Sequence, residues 1–141
     1  MHKVSLDSFM KGGIQHICLA EDDPDDYLFF SETLKEINSA IKLTWFQTCE
    51  ELLTFLKTGS ELPCLIVLDM NMPKMDGQTC LVSIKKELEL SHIPVIILST
   101  AGHLTTINTA YQAGAFKYYH KPGSIDEFRK IITEILTTPI Q

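Results

Sequence analysis

The sequence predicts a doubly wound α/β fold, a five-stranded parallel sheet with five helices shared between its two faces. Three observations carry this. Residues 14–20, 41–46, 64–68, 95–98 and 116–120 are short, mostly apolar runs with the length of strands. Each run is followed by apolar residues at helical spacing, and strict strand–helix alternation means parallel strands joined by right-handed crossovers. The run 65–68, LIVL, has no polar residue at all, as suits a strand covered on both faces.

A chain of 141 residues fits one domain, which we place at residues 14–141. Residues 1–13, MHKVSLDSFMKGG, have no periodicity and are expected to form a flexible lead-in. They lack the apolar core of a secretory signal, and the longest uncharged runs are too short to span a membrane, so the expected location is the cytoplasm. A formal charge of −6 and a single arginine, Arg129, argue against direct nucleic-acid contact. Cys18, Cys49, Cys64 and Cys80 are scattered without a CxxC pair and are read as reduced, mostly core residues. The five histidines are dispersed too, and are read as surface or loop residues rather than metal ligands.

The first strand runs into Glu21, Asp22 and Asp23, and Pro24 follows, where acids and proline suit the first turn of a helix. Leu28, Phe29, Leu34 and Ile37 then keep helical spacing. After the second strand, Thr48 is placed to cap a helix with the stripe Cys49, Leu52, Leu53 and Leu56. The third strand stops at Asp69, and Pro73 and Gly77 break any regular continuation. Leu81, Ile84 and Leu88 mark a third helix, with Lys85, Lys86, Glu87 and Glu89 on its wet side. Pro94 opens the fourth strand, which ends at Ser99 and Thr100. Residues 104–113 form a weaker helix with Ile107, Ala110 and Tyr111 inward, closed by Gly114. The fifth strand meets Lys121 and Pro122, and Ile125, Phe128, Ile132 and Ile135 form the stripe of the last helix.

Open α/β sheets bind at the carboxyl ends of their strands, and the order 2-1-3-4-5 sets the ends of strands one and three side by side. Asp22 and Asp69 then meet in one crevice, and Asp69 reads as a nucleophile that accepts a phosphoryl group. Converging carboxylates repel one another, and a hard divalent cation relieves them. Asp22, Asp69 and a loop carbonyl suffice to hold Mg²⁺ weakly, with Glu21, one atom longer, reaching it through water. Ser99 adds a hydroxyl and Lys121 an ammonium. Taken singly these are a helix cap, a turn residue and a solvated charge. Together, at four strand ends, they are what in-line phosphoryl transfer to a carboxylate requires, and an aspartate already ionised at neutral pH needs no base.

The segments AEDD at 20–23, LDMNMPKMDG at 68–77, ILST at 97–100 and YYHKP at 118–122 agree in order and spacing with one family. Over about residues 15–136 the chain resembles the receiver domain of two-component response regulators. The resemblance implies a stand-alone receiver of flavodoxin-like strand order, phosphorylated on Asp69 by a sensor histidine kinase or a histidine phosphotransfer protein of a phosphorelay. It implies that Glu21 and Asp22 are the acidic pair, with Asp22 a direct Mg²⁺ ligand, and that Asn71 gives its backbone carbonyl to the metal. Ser99 matches the switch hydroxyl, Lys121 the family's lysine, and Tyr118 the aromatic whose rotamer follows that hydroxyl. Phosphorylation is then expected to shift the surface of the fourth helix, fifth strand and last helix, passing the signal from a monomer or weak dimer to a further protein. The chain would accept and slowly lose its own phosphoryl group rather than turn over a substrate. Thr100 and Ala101 stand where the family often has a smaller residue and then a polar one, which implies slow loss of that group.

Other readings stay open. A phosphohydrolase of the haloacid dehalogenase type uses the same groups but needs an acid two residues after its nucleophile, where Asn71 stands. A flavodoxin-like FMN carrier wants a phosphate loop after the first strand, where Glu21, Asp22 and Asp23 would repel the ligand. An interaction module of receiver type that is never phosphorylated would keep every one of these residues.

Overall fold

The computed structural model describes residues 14–59 and 61–137, and the expected lead-in over residues 1–13 lies outside them. In chain order the elements are β1 (His16–Ala20), α1 (Pro24–Ile37), β2 (Lys42–Phe46), α2 (Cys49–Thr58), β3 (Leu65–Leu68), α3 (Gly77–Lys86), β4 (Val95–Ser99), α4 (Leu104–Gln112), β5 (Lys117–His120) and α5 (Ile125–Thr137). All neighbouring strands pair in parallel, in the order β2-β1-β3-β4-β5. The doubly wound fold expected from the alternation is the fold observed. No helix among the described residues is long and apolar enough to cross a membrane.

Side chains alternate along a strand, so the sheet sorts its residues into two cores. Cys18, Ala20, Ile66, Leu68, Val95 and Ile97 face α2 and α3 and meet Leu52, Leu56, Leu81, Ile84 and Ala110. Ile17, Leu19, Leu65, Val67, Ile96 and Leu98 face the other way, against Phe30 and Leu34 of α1 and Phe128, Ile132 and Ile135 of α5. Full burial of each large aliphatic side chain contributes roughly 1.5–3 kcal/mol, and β1, β3 and β4 are buried along their whole length. The edge strands β2 and β5 are only half-buried, which fits their mixed composition.

Helix starts follow the expected chemistry. The Asp23 carboxylate accepts from the Asp25 N–H with Pro24 at the first turn, Thr48 accepts from the Glu51 N–H, and Asp76 accepts from the Thr79 N–H. The chain leaves α4 through Ala113, and Gly114 takes a positive φ of 110°.

Several faces differ from the sequence reading. Leu28 and Phe29 are about half exposed, and α1 instead buries Phe30, Ser31, Thr33 and Leu34, so its inner stripe is turned from the one expected. Leu88 lies beyond the end of α3 at 89% exposure, and Tyr111 and Ile125 also face outward. Lys85 is not on a wet face: its ammonium donates to the carbonyls of Ser91 (3.0 Å) and Ile93 (2.8 Å), and burial pulls its pKa down.

Two corrections concern cysteine and histidine. Cys49 and Cys80 are joined in a disulfide, with Cα atoms 5.9 Å apart, rather than reduced. Sequence spacing hid the pair, because 31 residues separate them and only the packing of α2 beside α3 makes them neighbours. Cys18 and Cys64 are free. His16 is not a surface residue either: it is buried in β1, its Nε2 2.8 Å from the Thr44 hydroxyl.

Candidate functional site

Backbone hydrogen bonds align the strand ends that carry the polar residues. The Asp69 N–H donates to the Ala20 carbonyl (3.0 Å), the Glu21 N–H to the Phe46 carbonyl (2.9 Å) and the Lys121 N–H to the Ser99 carbonyl (2.8 Å). Each is the sheet ladder carried one residue past its strand, and together they place Glu21, Asp69, Ser99 and Lys121 along one edge. The Trp45 indole donates to the Glu21 carbonyl (2.7 Å) and stacks on Tyr27 at 4.0 Å, which fixes the β1 end from the side of β2. Beyond Asp69 the loop turns through Lys74, at a positive φ of 67°, and closes where the Gly77 N–H donates to the Met70 carbonyl (3.0 Å). A β-carbon on Gly77 would run into the backbone of Asp69 and Met70, so this close return requires glycine.

Alternation also divides the side chains. Residues 65, 67 and 69 share one parity, as do 119 and 121, and Asp69 and Lys121 meet on the α1/α5 side together with Glu21. The Lys121 ammonium lies 2.8 Å from Glu21, 2.8 Å from Asp26 and 3.5 Å from Asp69, with only 11% of the side chain exposed. Asp69 also accepts from the Asn71 N–H (3.2 Å), and Glu21 from the Asp23 N–H (3.1 Å). Oxygens of Glu21, Asp22 and Asp69 all fall within 4.8 Å of one another, with Asp22 exposed and the other two buried.

So much negative charge in a half-dry place shifts its protons. Burial raises Glu21 to about 7, with Lys121 pulling it down and the Asp69 charge pushing it further up. Burial likewise raises Asp69 against Lys121 and the Asn71 N–H. For Lys121 burial acts downward, but the hydrogen bonds it donates to Asp26 and Glu21 outweigh it and the ammonium is held above its ordinary pKa.

Residues 17–133 match the response regulator receiver domain. The chain belongs to that family. The receiver is 29% identical over 124 residues to response regulator Rcp1 of Synechocystis sp., covering 84% of each chain. It is 27% identical over 123 residues to the probable methanogenesis regulatory protein FilR2 of Methanothrix harundinacea, covering 84% of this chain and 79% of that protein. The crystal structure of the Mn²⁺-bound form of Rcp1 superposes with a TM-score of 0.81 at 27% identity, covering 90% of this chain and 95% of that one. The phosphorylated cyanobacterial phytochrome response regulator RcpA gives 0.81 at 28% identity, covering 86% and 91%. Two further relatives are far longer, and the matches, over 53% and 56% of this chain, cover 6% and 16% of them.

The acidic triad Glu21, Asp22 and Asp69 is of the kind typical of receivers, and its all-oxygen donor set fits a hard divalent cation. Ser99 is fully buried and its hydroxyl accepts from the Ala101 N–H (3.1 Å), while the Tyr118 hydroxyl donates to the Ala101 carbonyl. Their parity is opposite to that of Asp69 and Lys121, so they sit toward the face of α2, α3 and α4. The Asn71 amide donates to the Thr100 hydroxyl (3.3 Å) at the exposed rim. Asp26, which sequence reasoning missed, joins the site from α1. Its one signal was its place a helical turn before Phe30, the residue that faces the core.

Proposed function

We propose that this receiver is a phosphoacceptor response regulator in which Asp69 takes a phosphoryl group from a sensor histidine kinase or a histidine phosphotransfer protein. The observation that carries the reading is a buried Asp69 carboxylate facing the Lys121 ammonium at 3.5 Å, with Glu21 and Asp22 oxygens within 4.8 Å. In the transfer an Asp69 oxygen attacks phosphorus in line, the P–N bond to the donor imidazole breaks, and its electron pair stays on the ring nitrogen. The Asp69 oxygen loses its charge to the new ester-like bond while two phosphoryl charges arrive, which the Lys121 ammonium is placed to meet. Mg²⁺, held by Asp22, Asp69 and the Asn71 carbonyl with Glu21 behind water, would neutralise charge on the transferring group.

Ser99 and Tyr118 give the phosphoryl group a route to the surface. A hydroxyl now engaged by the Ala101 N–H turns toward new acceptor oxygens, Tyr118 changes partner, and the surface of α4, β5 and α5 shifts population. A few kcal/mol of differential interaction suffices for such a shift. The signal passes to another protein rather than to nucleic acid, in the cytoplasm. Asn71 holds the place where a haloacid dehalogenase-type hydrolase needs an acid, so turnover of free phosphate esters is not expected.

Treatment with acetyl phosphate and Mg²⁺, followed by intact-mass measurement, tests the reading. The protein should gain one phosphoryl group and Asp69→Asn should gain none. An unmodified wild type, or a modified Asp69→Asn, removes Asp69 from this role.

A further inference from the structure

Lys121 has three N–H bonds to give, and in this structure the shorter ones go elsewhere than to Asp69. Its ammonium is 2.8 Å from Glu21 Oε1 and 2.8 Å from Asp26 Oδ2, against 3.5 Å from Asp69 Oδ2. Asp26 owes this place to the tertiary fold, since 95 residues separate the two. It is not spent on capping α1, because the Asp23 carboxylate already accepts from the Asp25 N–H. Nor is it free to drift. Phe29 and Phe30, three and four residues on, pack on Phe128 of α5 with ring centres 6.4 Å and 6.2 Å away, which pins this turn of α1 above the loop that carries Lys121. A small cavity is lined by Glu21, Asp26, Asp69 and Lys121 together with the apolar Leu19, Phe30, Leu98 and Phe128, and only 11% of the Lys121 side chain is exposed. Three carboxylates, Glu21, Asp26 and Asp69, therefore gather around one ammonium, and of these Asp26 alone lies outside the Glu21, Asp22 and Asp69 triad that could hold a metal.

We propose that Asp26 is a positioning residue: it anchors the Lys121 ammonium away from Asp69 and so loosens the ammonium's hold on whatever anionic group Asp69 carries. This rests on Asp69 being the phosphoacceptor. To meet the phosphoryl oxygens squarely, Lys121 must give up its 2.8 Å partner on α1, and the free energy of that exchange is subtracted from the stability of the phosphorylated form. The same subtraction favours return to the resting state, in which water attacks phosphorus, the P–O bond to Asp69 breaks, inorganic phosphate leaves and Asp69 recovers its charge. Asp26 is thus a brake on the switch, set on the helix beside the site.

Asp26→Asn keeps the shape and removes the charge, whereas Asp26→Glu keeps the charge on a longer stem. Beryllofluoride with Mg²⁺, a phosphoryl mimic, is titrated against wild type and both variants, and phosphoryl loss after acetyl phosphate treatment is followed by intact mass. Asp26→Asn should bind the mimic about three- to tenfold more tightly and keep the phosphoryl group longer by a similar factor, as expected for a partly exposed charge near the site. Asp26→Glu should return toward wild type, and the melting temperature of the untreated proteins should not follow this order. A structural role for Asp26 would lower the melting temperature and weaken mimic binding in both variants. That result overturns the proposal, as does an Asp26→Asn variant equal to wild type. If wild type itself takes no phosphoryl group, the phosphoacceptor reading falls with it; if wild type is modified and Asp26→Asn is unchanged, the proposal falls alone.

Discussion

Glu21 and Lys121 form a 2.8 Å ion pair in which 4% and 11% of the side chains are exposed. Because burial has raised Glu21 to about 7 from 4.5, the folded protein holds that proton more tightly than the unfolded chain. Stability linked to Glu21 is then complete below the unfolded value and is lost as pH rises through about 7. With metal removed by chelator, the urea midpoint should fall between about pH 5 and about pH 8. Glu21→Gln should make that slope shallower, and an unchanged slope would contradict the assignment.

Asp22 is the exposed member of the triad, so removing it should cost the fold little and the metal much. Trp45 is the only tryptophan in the chain and donates to the Glu21 carbonyl, which makes its emission a reporter of this strand end. Mg²⁺ should change that emission in wild type, and Asp22→Ala should need at least about tenfold more Mg²⁺ for the same change. The metal-free stability of Asp22→Ala should stay within about 0.5 kcal/mol of wild type. Equal Mg²⁺ response in the two proteins would remove Asp22 from the metal site.

The Cys49–Cys80 bridge closes a loop across a sequence separation of 31 and ties the first turn of α2 to α3. Reduction should lower unfolding stability by about 2–4 kcal/mol. Urea denaturation with and without dithiothreitol measures this, and a Cys49→Ala, Cys80→Ala double variant should show no dependence on the reductant. Among the free thiols, Cys18 is fully buried with its pKa pushed up to about 12, first by burial, so Cys64 should react with a thiol reagent in the native protein and Cys18 should not.

Gly77→Ala forces a methyl group into the backbone of Asp69 and Met70. A loss of about 1–3 kcal/mol is expected, accompanied by lower phosphorylation because the displaced atoms carry Asp69. Denaturant unfolding and intact mass together test this: an unaffected Gly77→Ala protein would show that the loop yields more easily than its geometry implies.

In the proposed cycle Thr100 and Ala101 would set the access of water to the phosphoryl group. Thr100→Ala cuts the 3.3 Å tie to Asn71 at the rim, and Ala101→Glu supplies a group that can orient attacking water. Both should shorten the phosphoryl lifetime several-fold by intact mass, and unchanged decay in both would remove these positions from control of the lifetime.

The strand ends were legible because each pairs an apolar run with an abrupt change of chemistry. The register that joins Glu21 to Asp69 and Ser99 to Lys121 then followed from one strand order. Helix phase was less legible. In α1 the apolar residues Leu28, Phe29, Phe30 and Leu34 surround much of the helix, so pattern alone did not single out Phe30 as the inner residue, and the position of Asp26 was lost with it. Burial of His16, Lys85 and the Cys49–Cys80 pair depends on partners 28, 8 and 31 residues away. No local periodicity records such partners. Lys85 looked like a solvated charge because its acceptors are backbone carbonyls, which any sequence possesses.

The alternation that places Lys121 among carboxylates and Tyr118 beside Ala101 leaves β5 no tolerance for slippage. One extra residue between Tyr118 and Lys121 would exchange inside for outside at the strand's end, turning the ammonium toward α4 and stranding Glu21, Asp26 and Asp69 without their cation. Insertions should therefore be tolerated in the loops and not in β5, whose four residues serve as a fixed ruler between the charge and its readout.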